Sequence, residues 1–323
     1  MSCRPAGSLT ALRPACTDRW RKDRPQLRQT YVYVRTLQSC DGGLKAPHAT
    51  IAGAATSVTG PMVSCLMVTR GDIARTRLSI DQFKQQTYKS RELVIVCDHV
   101  EEDLKTLIRQ SGDDVRLVMV GPGLALGELR NVSVEEARGD LVCQWDDDDL
   151  YSADRIEHGV GAMLEAGADA LFLRQWFIWW PAKMVLSVSM SRIWEGSMIA
   201  FKRAVGPYPA LARDEDTMMV DALLRRSSIA VLDDPLSYCY CIHGQNTWSD
   251  GHMQRLVDGS RLRFEYGAAL AAFSSTFDFE SHPAFSEPDR ATASTHSASS
   301  RSQARRLARY LAFNQLMRRV KRT

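Results

Sequence analysis

Residues 61–149 alternate short apolar runs with helix-compatible stretches, and this alternation constrains the fold more than any other feature. Val63–Val68 is apolar apart from Ser64. Leu93–Val96 and Val115–Val120 follow, and Leu141–Trp145 runs straight into Asp146-Asp147-Asp148-Asp149. Runs this short and this apolar read as strands covered on both faces. Between them, Ile73–Gln86 is polar and helix-compatible, Leu104, Leu107 and Ile108 mark one face of a helix, and Arg130–Ala137 reads as a third helix. Such alternation predicts an α/β fold with a parallel sheet and right-handed crossovers. Ligands of these sheets bind beyond the carboxyl ends of the strands, and the four aspartates fall at that edge.

The second half is less regular. Ile156, Val160, Met163 and Leu164 form a helical stripe. Ala170–Leu173, Trp176–Trp180, Met184–Met190, Gly196–Phe201, Ile229–Leu232 and Tyr238–Ile242 read as strands, with a hairpin broken at Pro181. Asp214-Glu215-Asp216 opens a helix marked by Met219, Val220, Leu223 and Leu224. Residues 1–60 carry many arginines and little periodicity, and are expected to be a poorly ordered extension. After Arg255 the signal fades, so the organised domain is placed at 61–255. A low-complexity tail is expected over 256–323, ending in a basic amphipathic helix at Ala304–Arg322.

Composition narrows the function classes. The net charge is only +3, which gives no general affinity for polyanions, and no nucleic-acid partner is expected. No run approaches the length of a membrane span, and no apolar segment follows the basic N-terminus as in a signal peptide. The eight cysteines lack metal-knuckle spacing. Cys65, Cys97 and Cys143 lie in strand-like runs, and Cys239 and Cys241 share one face of another. Buried reduced thiols in a cytoplasmic protein are the simplest expectation, with a Cys239–Cys241 redox pair as the competing one.

Four consecutive aspartates repel one another, and a divalent cation relieves that cost. Hard carboxylate oxygens suit Mn²⁺ or Mg²⁺, which would bridge a diphosphate and stabilise its charge as a leaving group. The competing reading is a solvated acidic turn, but Trp145 and the apolar strand before it fix the cluster at a strand end.

The stretch LRNVSVEEARGDLVCQWDDDDLYSAD, Leu129–Asp154, resembles the core of the family 2 glycosyltransferases of GT-A fold. There an Arg-Asn pair opens a helix, an Ala-x-Gly turn follows, and a strand ends in an Asp-x-Asp motif. The opening VSCLMVTRGD is similar to the family's first strand, and the resemblance runs from about Pro61 to Trp248. It implies a nucleotide-binding half with a mostly parallel central sheet flanked by helices, plus a smaller acceptor-side half. It also implies transfer of a sugar from a nucleotide sugar, expected to be a UDP-sugar, to an acceptor hydroxyl with inversion. Asp148 and Asp146 match the metal positions, with Asp147 and Asp149 able to exchange roles with them. Thr69, Asp98, Arg130, Asp146 and Asp147 match donor-binding positions. Arg70 and Gly71, and Cys97-Asp98-His99, depart from the family pattern, which leaves the base open.

Inversion needs a base on the acceptor side. Asp216 resembles the second member of the family's Glu-Asp pair and is assigned that role, with Glu215 as fallback. Helix capping is the competing use of these acids. His243 is expected as a further metal ligand, against a structural hydrogen-bonding role. Trp176, Trp179 and Trp180 offer either core packing or an acceptor platform. The terminal basic helix could lie on anionic lipid beside a lipid-linked acceptor. The rival functions are a sugar-nucleotidyltransferase, for which Thr69-Arg70-Gly71-Asp72 is a poor triphosphate loop, and a non-catalytic carbohydrate- or cation-binding module.

Overall fold

The structure is a computed structural model that describes residues 31–32 and 60–285. Its strands are β1 (Tyr31–Val32), β2 (Val63–Val68), β3 (Arg91–Cys97), β4 (Val115–Met119), β5 (Leu141–Gln144), β6 (Leu150–Tyr151), β7 (Ala170–Leu173), β8 (Phe177–Trp180), β9 (Val185–Val188), β10 (Ile199–Phe201), β11 (Ile229–Leu232), β12 (Tyr238–Cys241) and β13 (Leu262–Arg263). Its helices are α1 (Ile73–Lys84), α2 (Glu102–Gln110), α3 (Leu126–Glu136), α4 (Arg155–Glu165), α5 (Glu215–Arg226), α6 (Asp250–Asp258) and α7 (Tyr266–Phe273). An eight-stranded sheet in the order β1-β11-β7-β10-β5-β2-β3-β4 forms the centre, and a smaller sheet, β13-β9-β8-β12-β6, stands beside it.

The apolar runs became strands because both of their faces are covered. Every residue of β5 and β7 is buried, and so is all of β3 after Arg91. The α/β class with a mostly parallel sheet flanked by helices holds. A fully parallel sheet does not, because β10 runs antiparallel to both β5 and β7. The reversal has a consequence for the site. It lays the turn before β10, Glu195–Ser197, beside the carboxyl end of β5, where the aspartates begin. The hairpin across Pro181 is present: β8 and β9 pair antiparallel through a 3-10 turn, with Met184 at φ 50°.

Two expectations are corrected. Helix α3 begins at Leu126, so Arg130 sits in its second turn rather than opening it. The domain does not end at residue 255, which lies inside α6. Tyr266, Leu270, Phe273, Phe277 and Phe279 are buried against Phe177, Trp179 and Leu186, so the folded domain extends through this segment. The packing is carried by the short apolar helix α7 and by Phe277 and Phe279, which stand among polar residues. The extension 1–60, apart from 31–32 and Gly60, and the basic helix at 304–322 lie outside the described residues.

All five described cysteines are buried and free, as expected. Trp176, Trp179 and Trp180 are buried too. Trp176 stacks with Trp194 at 4.3 Å, Tyr238 at 4.7 Å and Tyr240 at 5.3 Å, so these three tryptophans pack the interior.

Candidate active site

Strand β5 lies between β2 and β10, and Trp145 anchors its end. The Trp145 main-chain N–H donates to Leu66 O at 3.0 Å, and its indole N–H donates to the Ser79 hydroxyl at 2.9 Å. The chain therefore leaves the sheet centre at a fixed point, and the four aspartates diverge from it.

Each carboxylate finds a different environment. Asp146 Oδ1 accepts from Gln144 Nε2 at 2.8 Å and lies 3.5 Å from Arg130 Nη1. Burial raises its pKa, against the pull of Arg130. Asp147 accepts the Thr69 hydroxyl, and burial, reinforced by the Asp148 charge, pushes it up to about 7. Asp148 Oδ2 pairs with His243 Nε2 at 2.9 Å. Burial pushes Asp148 upward, but the His243 ring and Arg75 outweigh it and hold the acid below its ordinary value. Asp149 turns inward, is 1% exposed, and accepts from the Tyr238 hydroxyl and from Cys241 N–H. With both oxygens so engaged, Asp149 fastens the acidic turn to β12.

Thr69 and Asp98 share the edge with the aspartates. β2 and β3 pair in parallel with Val68 opposite Val96, and Thr69 N–H donates to Val96 O at 3.1 Å. Asp98 follows β3 directly and is half-buried. Burial raises the Cys97 thiol pKa, and the charges of Asp98 and Asp147 add to the rise, so both acids lie close to it.

His243 sits at the acidic edge, in contact with Asp148. Its Nδ1 faces two donors, Arg75 Nη2 at 3.1 Å and Gln245 N–H at 3.3 Å. The Nδ1 lone pair is thereby engaged, while Nε2 faces Asp148 Oδ2 at 2.9 Å and Asn246 Nδ2 at 3.2 Å. In this arrangement His243 holds the Asp148 carboxylate, and its ring lies at the acidic edge beside the carboxylates. Arg75, unremarked in the sequence, reaches the His243 ring from 168 residues away.

On the other side, α3 meets the start of α5. A side chain at Gly127 would put its Cβ 1.8 Å from Pro209 O and 3.1 Å from Glu215 Cβ. Only glycine allows that approach, and it brings Arg130 Nε within 2.9 Å of Glu215 Oε1. Glu215 is thereby committed to an ion pair. Among the described residues Asp216 accepts only from its own neighbour, Thr217 N–H at 2.7 Å and the Thr217 hydroxyl at 3.4 Å, and it is half-buried. Its charge acts on Asp146 and Glu215, so it belongs to the same field. Asp214, just before α5, holds φ 63°, unusual for a residue other than glycine. Glu195, which the sequence did not single out, pairs with Arg192 and has its pKa raised by burial, with Asp216 adding to the rise.

The donor chemistry fits a hard divalent cation. Among the described residues no three His, Cys, Asp or Glu side chains converge as a closed metal centre. Mg²⁺-type sites are typically built from one or two carboxylates completed by substrate phosphates and water. Asp148, with Asp146 and Asp147 beside it, supplies that kind of partial set.

Residues 64–178 match the family model described as Glycosyl transferase family 2, and the chain carries a domain of that family over this stretch. A curated relative, an uncharacterised glycosyltransferase of Rickettsia prowazekii, is 24% identical over 107 residues, 33% of each chain. Another from Rickettsia typhi is 26% identical over 103 residues, 32% of each chain. The chain thus spans about a third of the length of these relatives. Among solved structures, the mannosyltransferase PcManGT from Pyrobaculum calidifontis in complex with GDP-Man and Mn²⁺ is 14% identical, covering 78% of this chain and 80% of that one, with a TM-score of 0.47. S. aureus TarS 1-349 in complex with UDP-GlcNAc is 15% identical, covering 58% and 60%, with a TM-score of 0.48. Among the described residues no helix is long and apolar enough to cross a membrane.

Proposed function

We propose that this protein transfers a sugar from a nucleoside diphosphate sugar, with UDP as the favoured nucleotide, to an acceptor hydroxyl with inversion. The observation that carries the reading is the placement of the acids. Asp146, Asp147 and Asp148 emerge at the carboxyl end of β5, with Thr69 and Asp98 on one side and Asp216 on the other.

Thr69 and Asp98 are assigned to the nucleoside, Asp146 and Asp147 to the ribose and diphosphate surroundings, and Asp148 to the metal. Mn²⁺ or Mg²⁺, when bound, would neutralise charge on the departing diphosphate. Asp216 takes the acceptor proton as the hydroxyl oxygen attacks the anomeric carbon from the face opposite the diphosphate. Glu215 is not its understudy, because its charge is already paired to Arg130. Arg130 instead holds Asp146 and the start of α5 at one separation.

Two measurements test this. A thermal-shift panel of nucleoside diphosphates with and without Mn²⁺ should give metal-dependent stabilisation, largest for UDP. Asp148→Asn should remain folded and lose transfer. Wild-type turnover by that variant, or sugar and metal binding with no nucleoside diphosphate released, would defeat the assignment. The latter outcome would favour a non-catalytic module.

A further inference from the structure

We propose that His282 is a positioning residue of the aspartate site, holding the Asp148 main chain from a segment 134 residues further along. The inference rests on the metal-site reading above.

The geometry leaves little freedom to the ring. His282 is 2% exposed. Ala284 N–H donates to its Nδ1 at 3.0 Å, which places the ring proton on Nε2. That Nε2 lies 3.1 Å from Asp148 O and donates to it. The ring stands edge-on to Trp179, 5.2 Å away at 78°, and the Trp179 indole N–H is itself bound to the Tyr266 hydroxyl at 3.0 Å. Phe277 and Phe279, buried on the same segment, fix the approach.

Asp148 is therefore held twice. His243 takes its carboxylate and His282 takes its main-chain carbonyl, with the two rings 6.4 Å apart. The next peptide is pinned by Gln82 Nε2, which donates to Asp149 O at 3.1 Å. A carboxylate that must meet a metal within about 0.5 Å needs its backbone fixed as well as its side chain. His282 supplies that from outside the residues matched by the family model, which end at 178.

Two substitutions separate positioning from packing. In His282→Gln the amide nitrogen falls near the Nε2 position and keeps the donor. In His282→Asn it falls near Nδ1 and stops short of Asp148 O. The apparent Mn²⁺ affinity is read by Mn²⁺ electron paramagnetic resonance at saturating UDP, alongside the melting temperature without ligand. We expect His282→Asn to weaken Mn²⁺ about tenfold, the lower end for loss of an outer partner, and His282→Gln to stay within about threefold. Equal affinities in the two variants, or wild-type affinity in His282→Asn, would overturn the inference. On the unmutated protein, ¹⁵N spectra of the imidazoles should show His282 neutral with its proton on Nε2, and a proton on Nδ1 would overturn it without any variant. Absence of Mn²⁺-dependent UDP binding in the wild type would remove the parent reading as well, and so is told apart from failure of His282 alone.

Discussion

Replacing Arg130 by methionine isolates the interaction that joins the two sides of the site. The guanidinium is 12% exposed and contacts Glu215, 3% exposed, at 2.9 Å and Asp146, 25% exposed, at 3.5 Å. Methionine keeps most of the volume and removes the charge. Two carboxylates then face each other and Asp216 with no cation between them. Breaking a buried pair by deleting one partner costs about 3–5 kcal/mol. Asp146 is partly exposed and can relax, so the lower end, about 3 kcal/mol, is the better figure. At about 2–4 °C per kcal/mol for a domain of this size, the melting temperature should fall by about 6–12 °C. Urea denaturation of Arg130→Met, Glu215→Leu and the double variant completes a cycle. The double variant should regain about 2 kcal/mol over Arg130→Met, because an apolar pair needs no counter-charge. A loss below about 1 kcal/mol in Arg130→Met, or no recovery in the double variant, would refute the argument that this pair sets the separation of α3 and α5.

Other outcomes follow from the same contacts. Gly127→Ala, whose Cβ would meet Pro209 O at 1.8 Å, should force α3 from the 209–215 loop and lower both the melting temperature and donor affinity. Asp149→Ala strands the Tyr238 hydroxyl and Cys241 N–H and should cost about 3 kcal/mol in urea denaturation, unlike Asp148→Asn, whose loss should be in activity. Glu92 supplies a pH test. Burial alone would raise its pKa, but the Ser64 hydroxyl at 2.7 Å, Arg138 N–H at 2.7 Å and Arg116 at 3.0 Å hold it below the ordinary 4.5. Its contribution is therefore fully present above pH 4.5 and lost as the pH falls through the lowered value. Glu92→Gln should be less stable than wild type at neutral pH, and the gap should close below that range. A gap that is constant with pH would show the carboxylate charge to be idle.

Much of this arrangement was legible in the chain, for particular reasons. Val63–Val68 and Ala170–Leu173 announce themselves because a strand covered on both faces must be apolar at nearly every position. The acidic run at the end of β5 marks the functional edge, because such sheets bind ligands there. His282 was hidden in a polar stretch, though Phe277, Phe279 and Phe285 around it were a signal that the segment had a core to join. Arg75 gave none: an arginine in a polar helix looks the same whether it faces water or His243.

The amino-acid order alone determined the α/β class, the family 2 domain and the strand end that carries the acids, since these depend on local period and on a contiguous motif. Tertiary structure decided that Asp149 turns inward, that Glu215 pairs with Arg130, and that two histidines reach Asp148. Those assignments depend on contacts between residues 85 to 134 positions apart, and on which of several similar side chains burial turns inward. Hydrogen bonding and desolvation act through space, and only the packed chain fixes those distances.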